Sequence, residues 1–273
     1  MEPALTTVGV ELELFVNFRD IANRSGEINN WDNIGDYDRN KHVRNWIAEG
    51  LRNRDLKAYV QDEPVGGNFP GWGLGLDFSV TFEKKKEKEV DMEKFYGIEI
   101  RSPILPVSIY HTEISKFYNS LTSICDIMID AECSTHVHIR RGKEWSLDEL
   151  ISISRGIIRD EDEVFKHFPP QRQASDYAKR NRQNCTEPKE VEELLTEINR
   201  CSTMAEGRAK LAHLISPSKD FAWNLDNAKD AGKGYGTVEF RLPPGSSDAE
   251  GCTKWVSCVI KFVDRWTNQV SID

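Results

Sequence analysis

Four short segments alternate apolar residues with side chains that ligate metal ions or contact phosphate. They are Gly9-Val10-Glu11-Leu12-Glu13-Leu14, Gly97-Ile98-Glu99-Ile100-Arg101-Ser102-Pro103, Thr135-His136-Val137-His138-Ile139 and Gly236-Thr237-Val238-Glu239-Phe240-Arg241. Successive side chains of a strand point to opposite faces, so each segment predicts a half-buried strand with its apolar residues packed and its ionisable residues gathered on the other side. One sheet face would then carry Glu11, Glu13, Glu99, Glu239, His136, His138 and Arg241. Four carboxylates converging on a concave surface repel one another unless protons, cations or metal ions neutralise them. Taken singly, a Glu-x-Glu strand reads as an ordinary solvated face. Taken together, the four strands imply a polynuclear, oxygen-rich metal site.

The elements that must position these residues can be read in chain order. Residues 17–37 are rich in Asn, Asp and Gly and read as a loop. A helix follows over 39–54, with Val43, Trp46, Ile47 and Leu51 on its apolar face. Residues 57–61 predict a strand, 66–71 a turn, and 72–82 a long strand carrying Asp77 and Ser79. The charge run at 83–93 reads as a solvated hairpin tip or loop. After the second carboxylate strand come a helix over 107–124, a strand over 125–130 and the histidine strand. Ser146 and Glu149 have the spacing of a capping box and open a long helix reaching residue 165. Residues 169–190 are polar and irregular, with Lys179, Arg180 and Arg182 clustered. Two amphipathic helices over 188–215, a strand at 221–225, the Glu-x-Arg strand and a terminal helix over 248–268 complete the chain. This order predicts one α+β domain over residues 1–273, an antiparallel sheet with helices on one face.

Composition sets bounds on function. A chain of 273 residues with 38% hydrophobic and 30% charged residues can bury a substantial core. The formal charge of −9 argues against a nucleic-acid or anionic-membrane binder, which needs a basic surface. The first residues form neither a basic start nor an apolar run, and no later segment approaches the roughly 20 apolar residues of a membrane span. A cytoplasmic location is the expectation. The six cysteines are scattered and read as reduced thiols. Cys133, three residues before His136, reads either as a soft metal ligand or as a buried structural thiol.

In order along the chain, Gly-Val-Glu-Leu-Glu, Asp77-Phe78-Ser79, Gly-Ile-Glu-Ile-Arg-Ser-Pro-Ile-Leu, Thr-His-Val-His and Thr-Val-Glu-Phe-Arg followed by Pro-Gly-Ser-Ser resemble the amidoligase family. That family lies within the glutamine synthetase and glutamate-cysteine ligase superfamily of carboxylate–amine ligases. The resemblance runs from about residue 8 to residue 260. It implies a curved antiparallel sheet with helices on the outer face, the glutamine synthetase-like catalytic fold, with insertion loops near 17–37 and 82–96. It further implies ATP and two or three Mg²⁺ or Mn²⁺ ions on the concave face, and amide formation through an acyl phosphate. The substrates would be a small-molecule or peptide carboxylate and an amine. Hard carboxylate oxygens suit Mg²⁺, whereas a zinc protease would place two histidines on a helix at i, i+4.

The resemblance also implies roles. Glu11 and Glu13, about 7 Å apart along a strand, would ligate neighbouring metal ions, as would Glu99, His136 and Glu239. His138 would contact ATP phosphates, and Arg241 would neutralise the transferred phosphoryl group. Asp77 would hold the incoming ammonium and accept its proton, or else cap a turn. Arg180 and Arg182 would supply phosphate or carboxylate contacts, with Asn224 a further candidate. Arg101 departs from the family pattern and reads either as pointing toward a substrate anion or as pairing with a carboxylate, the pairing being favoured. Two other classes stay open: a kinase of a guanidino or carboxylate group, and a silent relative that binds a nucleotide or amino acid.

Overall fold

The computed structural model describes residues 6–26, 28, 30–61, 70–76, 80, 95–142, 144–184, 190–204, 206–230 and 235–268. Asp77, the 66–69 part of the expected turn, the 83–93 charge run and residues 185–189 lie outside them. Proximity of Cα positions in space groups the chain into two compact units. An N-terminal unit comprises Gly9–Thr135 with Gly245–Thr253. A C-terminal unit comprises Met1–Val8, His136–Pro244 and Lys254–Asp273.

In the N-terminal unit, strands run in the order β2 (Ala58–Val60), β3 (Trp72–Gly75), β4 (Tyr96–Arg101), β1 (Thr7–Phe18), with β5 (Leu105–Pro106) and β6 (Cys125–Met128) also on β1. Pairs β3–β4, β1–β4 and β1–β6 are antiparallel, while β2–β3 is parallel. The all-antiparallel expectation therefore needs correcting at that edge. Sequence alternation on one strand says which residues share a face but nothing about the direction of its neighbour. Of the expected strand 72–82, Trp72–Gly75 form a strand, and residues 77–79, 81 and 82 lie outside the described residues.

Alternation in these strands sorts the side chains as expected. Val10, Leu12, Leu14, Ile98, Ile100, Trp72 and Leu74 are buried in the core. Against them pack α2 (Asp36–Arg52) and α3 (Tyr110–Thr122), α3 stacking Phe117 on Trp72 with ring centroids 3.8 Å apart. Val43, Ile47 and Leu51 of α2 are fully buried, so its apolar stripe is the one read from sequence. Residues 17–37 are less irregular than expected. They hold the end of β1, the short helix α1 (Ile21–Ser25) and a 3-10 turn at Trp31–Asn33.

In the C-terminal unit the strand order is β7 (Thr135–Arg140), β9 (Val238–Phe240), β8 (Trp223–Asn224), antiparallel throughout. Helix α4 (Leu147–Lys166) begins with the expected box: Ser146 Oγ accepts from Glu149 N at 3.1 Å, and Glu149 Oε2 accepts from Ser146 N at 2.8 Å. Short helix α5 (Pro170–Gln173) interrupts the polar stretch, and α6 (Val191–Arg200), α7 (Gly207–Ile215) and α8 (Ala249–Thr267) follow. α4 packs against α6 and α7, and α7 against β8. Trp223 joins Phe240 and Phe262 in an aromatic core. No helix among the described residues is long and apolar enough to cross a membrane.

Candidate functional site

The ionisable residues of the four motif strands are mostly not solvated. Glu13 and Glu99 are each 8% exposed, Glu239 3% and His136 4%. Burying a carboxylate is costly unless it is hydrogen-bonded or paired, so the partners decide what each residue can do.

In the C-terminal unit, register sets His138 directly opposite Glu239, and Glu239 opposite Asn224. Period-two alternation then puts His136 and Arg241 on the same face. Glu239 divides its two oxygens. Oε2 accepts from Asn224 Nδ2 at 2.9 Å, while Oε1 accepts from Arg241 Nη1 at 2.6 Å. His136 Nδ1 and His138 Nε2 each lie 3.7 Å from that Oε1. Thr237 Oγ1 is 3.3 Å from the other nitrogen of His138. Atoms that ligate one ion at ~2.1 Å lie at most about 4 Å apart, so each imidazole nitrogen taken by itself is within ligand spacing of Glu239 Oε1.

Supports behind this cluster fix its geometry. Asn224 Oδ1 accepts from Asp226 N at 2.9 Å, which orients the amide with Nδ2 toward Glu239. Asn181 fastens the same strand, donating to Trp223 O at 2.8 Å and accepting from Trp223 N at 3.1 Å. Buried Arg172 of α5 donates to Arg241 O at 2.8 Å and Leu242 O at 3.0 Å, holding the backbone that carries Arg241. Asn181 and Arg172 sit in irregular polar sequence, and no local pattern marks them.

In the N-terminal unit, Glu11 lies opposite Arg101 and Glu13 opposite Glu99 on the paired strands β1 and β4. Arg101 bonds Glu99 at 2.6 Å and approaches Glu11 at 3.4 Å, the carboxylate pairing expected of it. Ser134 Oγ donates to Glu13 Oε2. Ser102 ends β4 by accepting from Val10 N at 2.9 Å and donating to Pro103 O at 2.8 Å. Three carboxylates thus share a face with a single guanidinium, an oxygen-only donor set suited to a hard divalent cation.

Arg180 and Arg182 are elsewhere. Arg180 bonds Asp162 at 2.7 Å and stands over the Phe165 ring, while Arg182 bonds Asp162 at 2.6 Å and Ile158 O at 2.7 Å. Both also lie within 3.7 Å of buried Glu161. Their partners belong to α4 and none to the Glu239 cluster. Burial pushes the Glu161 carboxyl above its ordinary pKa, opposed by a backbone N–H of Arg182 and the two guanidinium charges. Asp162 is held below the usual carboxylate range, chiefly by its Arg182 hydrogen bond. Cys133 is buried beside Phe15 and Val80, the packing of a structural thiol.

A family model described as "putative amidoligase enzyme" matches residues 5–263. No curated protein matches the chain.

Proposed function

This chain belongs to the amidoligase family, and from that premise we propose that it is an ATP-dependent carboxylate–amine ligase forming an amide through an acyl phosphate. Family membership supports ligase-type activity in general. The finer reading rests on Glu239, a buried carboxylate shared between Asn224 and Arg241 with two imidazole nitrogens 3.7 Å away. A solvated surface pair needs no such enclosure. We further read the two units as a glutamine synthetase-like catalytic fold.

A bound divalent cation, Mg²⁺ or Mn²⁺, would supply positive charge to offset what develops in phosphoryl transfer. His136 and Glu239 in the C-terminal unit and, taken by themselves, Glu11, Glu13 and Glu99 in the N-terminal unit are the residues proposed to hold such ions. The mixed imidazole–carboxylate set around Glu239 favours Mn²⁺ over Mg²⁺ more than the oxygen-only set of the N-terminal unit does. His138 is proposed to contact ATP phosphate. Arg241 has five N–H donors, enough to hold Glu239 and a phosphoryl oxygen together. Arg180 and Arg182, engaged with Glu161 and Asp162, are read as fastening the polar segment to α4.

ADP release tests the reading. In a screen over pairs of amino acids, polyamines and short peptides, ADP should appear only when carboxylate, amine and divalent metal are all present, with a product mass equal to the two substrates less one water. Turnover with one partner alone favours a kinase. Binding of ATP with no turnover on any pair favours a silent relative.

A further inference from the structure

The polar face of the N-terminal unit continues past its carboxylates into a region that no motif marks. Register sets Tyr59 beside Gly73, Gly73 beside Arg101, and Arg101 beside Glu11, one row across β2, β3, β4 and β1. Gly75, Glu99 and Glu13 form the next row. Gln61 donates its backbone N–H to Leu74 O at 2.8 Å just beyond β2, and by alternation it shares the face of Tyr59. Strand β3, Trp72-Gly73-Leu74-Gly75, therefore sends Trp72 and Leu74 into the core and offers no side chain to the polar face.

The side chains of Tyr59 and Gln61 lean over that bare strip. A Cβ on Gly73 would stand 2.8 Å from Gln61 Oε1 and 3.0 Å from the Tyr59 hydroxyl, so glycine is what lets these atoms rest there. Among the described residues neither atom has a hydrogen-bond partner although both are shut off from solvent, and Gln61 as a whole is only 6% exposed. Orphaned buried polar atoms are rare because each forfeits its hydration, so two side by side call for an occupant. Across the strip, Glu99 Oε2 lies 3.6 Å from the position a Cβ on Gly75 would take.

We propose that Tyr59, Gln61 and the floor formed by Gly73 and Gly75 make a subsite for a primary ammonium group, the amine substrate of the ligase, an inference that rests on the ligase reading above. The oxygen of an amide only accepts hydrogen bonds, and a phenol oxygen accepts as readily as it donates. An ammonium brings three N–H donors, enough for Gln61 Oε1 and Tyr59 Oη together. A carboxylate or phosphate would set oxygen against Oε1. Burial raises the Tyr59 pKa more than the Arg101 charge lowers it, so the hydroxyl meets its ligand as a neutral phenol.

Isothermal titration calorimetry of the whole chain with n-butylammonium chloride, without nucleotide or metal, tests the subsite. The expected result is saturable binding, with n-butanol at least tenfold weaker. Tyr59→Phe and Gln61→Leu should each weaken amine binding at least tenfold, and ligand-free Tyr59→Phe should melt higher because an orphaned hydroxyl is gone. Absence of saturable binding, equal affinity in the Tyr59→Phe protein, or butanol binding as well as the amine would overturn the proposal. Tyr59→Phe removes a single oxygen and decides the matter if Gln61→Leu does not fold. No turnover enters the measurement, so its failure leaves the ligase reading standing, and failed ADP release leaves the subsite standing.

Discussion

Glu239 shows how much rests on one side chain. Its two oxygens serve different partners, Asn224 through Oε2 and Arg241 through Oε1. A glutamine there has one acceptor oxygen, so Glu239→Gln leaves either the guanidinium or the amide donor facing an NH₂ group. The Asn224 amide cannot simply flip, because its own oxygen is held by Asp226 N. The expected cost is about 1–3 kcal/mol by urea denaturation, the penalty of a buried group left unsatisfied. Wild-type protein should melt higher with Mn²⁺ and ATP, since a ligand that binds only the folded state stabilises it by mass action. In Glu239→Gln that shift should shrink to a small fraction. A full shift in the variant would remove Glu239 from the ligand set.

Glu161 and Asp162 make a contrasting pair on α4. The folded pKa of Asp162 lies below its unfolded value, so its contribution is present above the unfolded value of about 3.9 and is lost as pH falls through the folded one. The folded pKa of Glu161 lies above its unfolded value of about 4.3, so ionising it opposes folding as pH rises. Asp162→Asn should therefore lower the unfolding free energy from urea denaturation more at pH 7 than at pH 3, by at most about 0.5 kcal/mol for so exposed a pair. Glu161→Gln should change with pH in the opposite sense. Parallel pH profiles for the two variants would mean that the guanidinium charges outweigh burial at Glu161.

At the scale of elements, alternation carried most of the strand reading and apolar periodicity most of the helix reading, with a capping box marking one helix start. Val10, Leu12 and Leu14 alternate against Glu11 and Glu13, and Ser146 with Glu149 opens α4 as spaced. The parallel step between β2 and β3 was not legible, because strand direction depends on a partner distant in sequence. Nor was the depth of the carboxylates: alternation says which face a residue occupies but not what covers that face. Close approach is similarly hidden in a single letter. A Cβ on Gly97 would stand 2.0 Å from Val80 O, a backbone atom that cannot swing away. Gly97→Ala should thus force β4 off that neighbour and cost about 1–3 kcal/mol, as overpacking does. Loss of less than about 0.5 kcal/mol by thermal denaturation would show that the strand yields freely.

For the molecule as a whole, the strongest signal was order rather than any one motif: five short matches in sequence gave a family that a model spanning residues 5–263 shares. The sequence brought Glu239, Arg241, His136 and His138 together by register-compatible alternation, and the structure joins them within the C-terminal unit. It did not reveal that Arg180 and Arg182 would be engaged on α4, since basic residues in an irregular segment have no period to say where they point. Tyr59 and Gln61 were likewise silent, because their setting comes from a glycine on the neighbouring strand.

On the proposed mechanism a substrate carboxylate is activated by phosphorylation before an amine attacks it. Hydroxylamine, a strong nucleophile that is uncharged at neutral pH, tests this most directly when supplied with ATP, Mn²⁺ and a carboxylate substrate in place of the natural amine. An acyl phosphate predicts a hydroxamate formed in step with ADP, detected by its ferric complex and by mass. ADP release from the same carboxylate with no hydroxamate would contradict the claim and leave a kinase in its place.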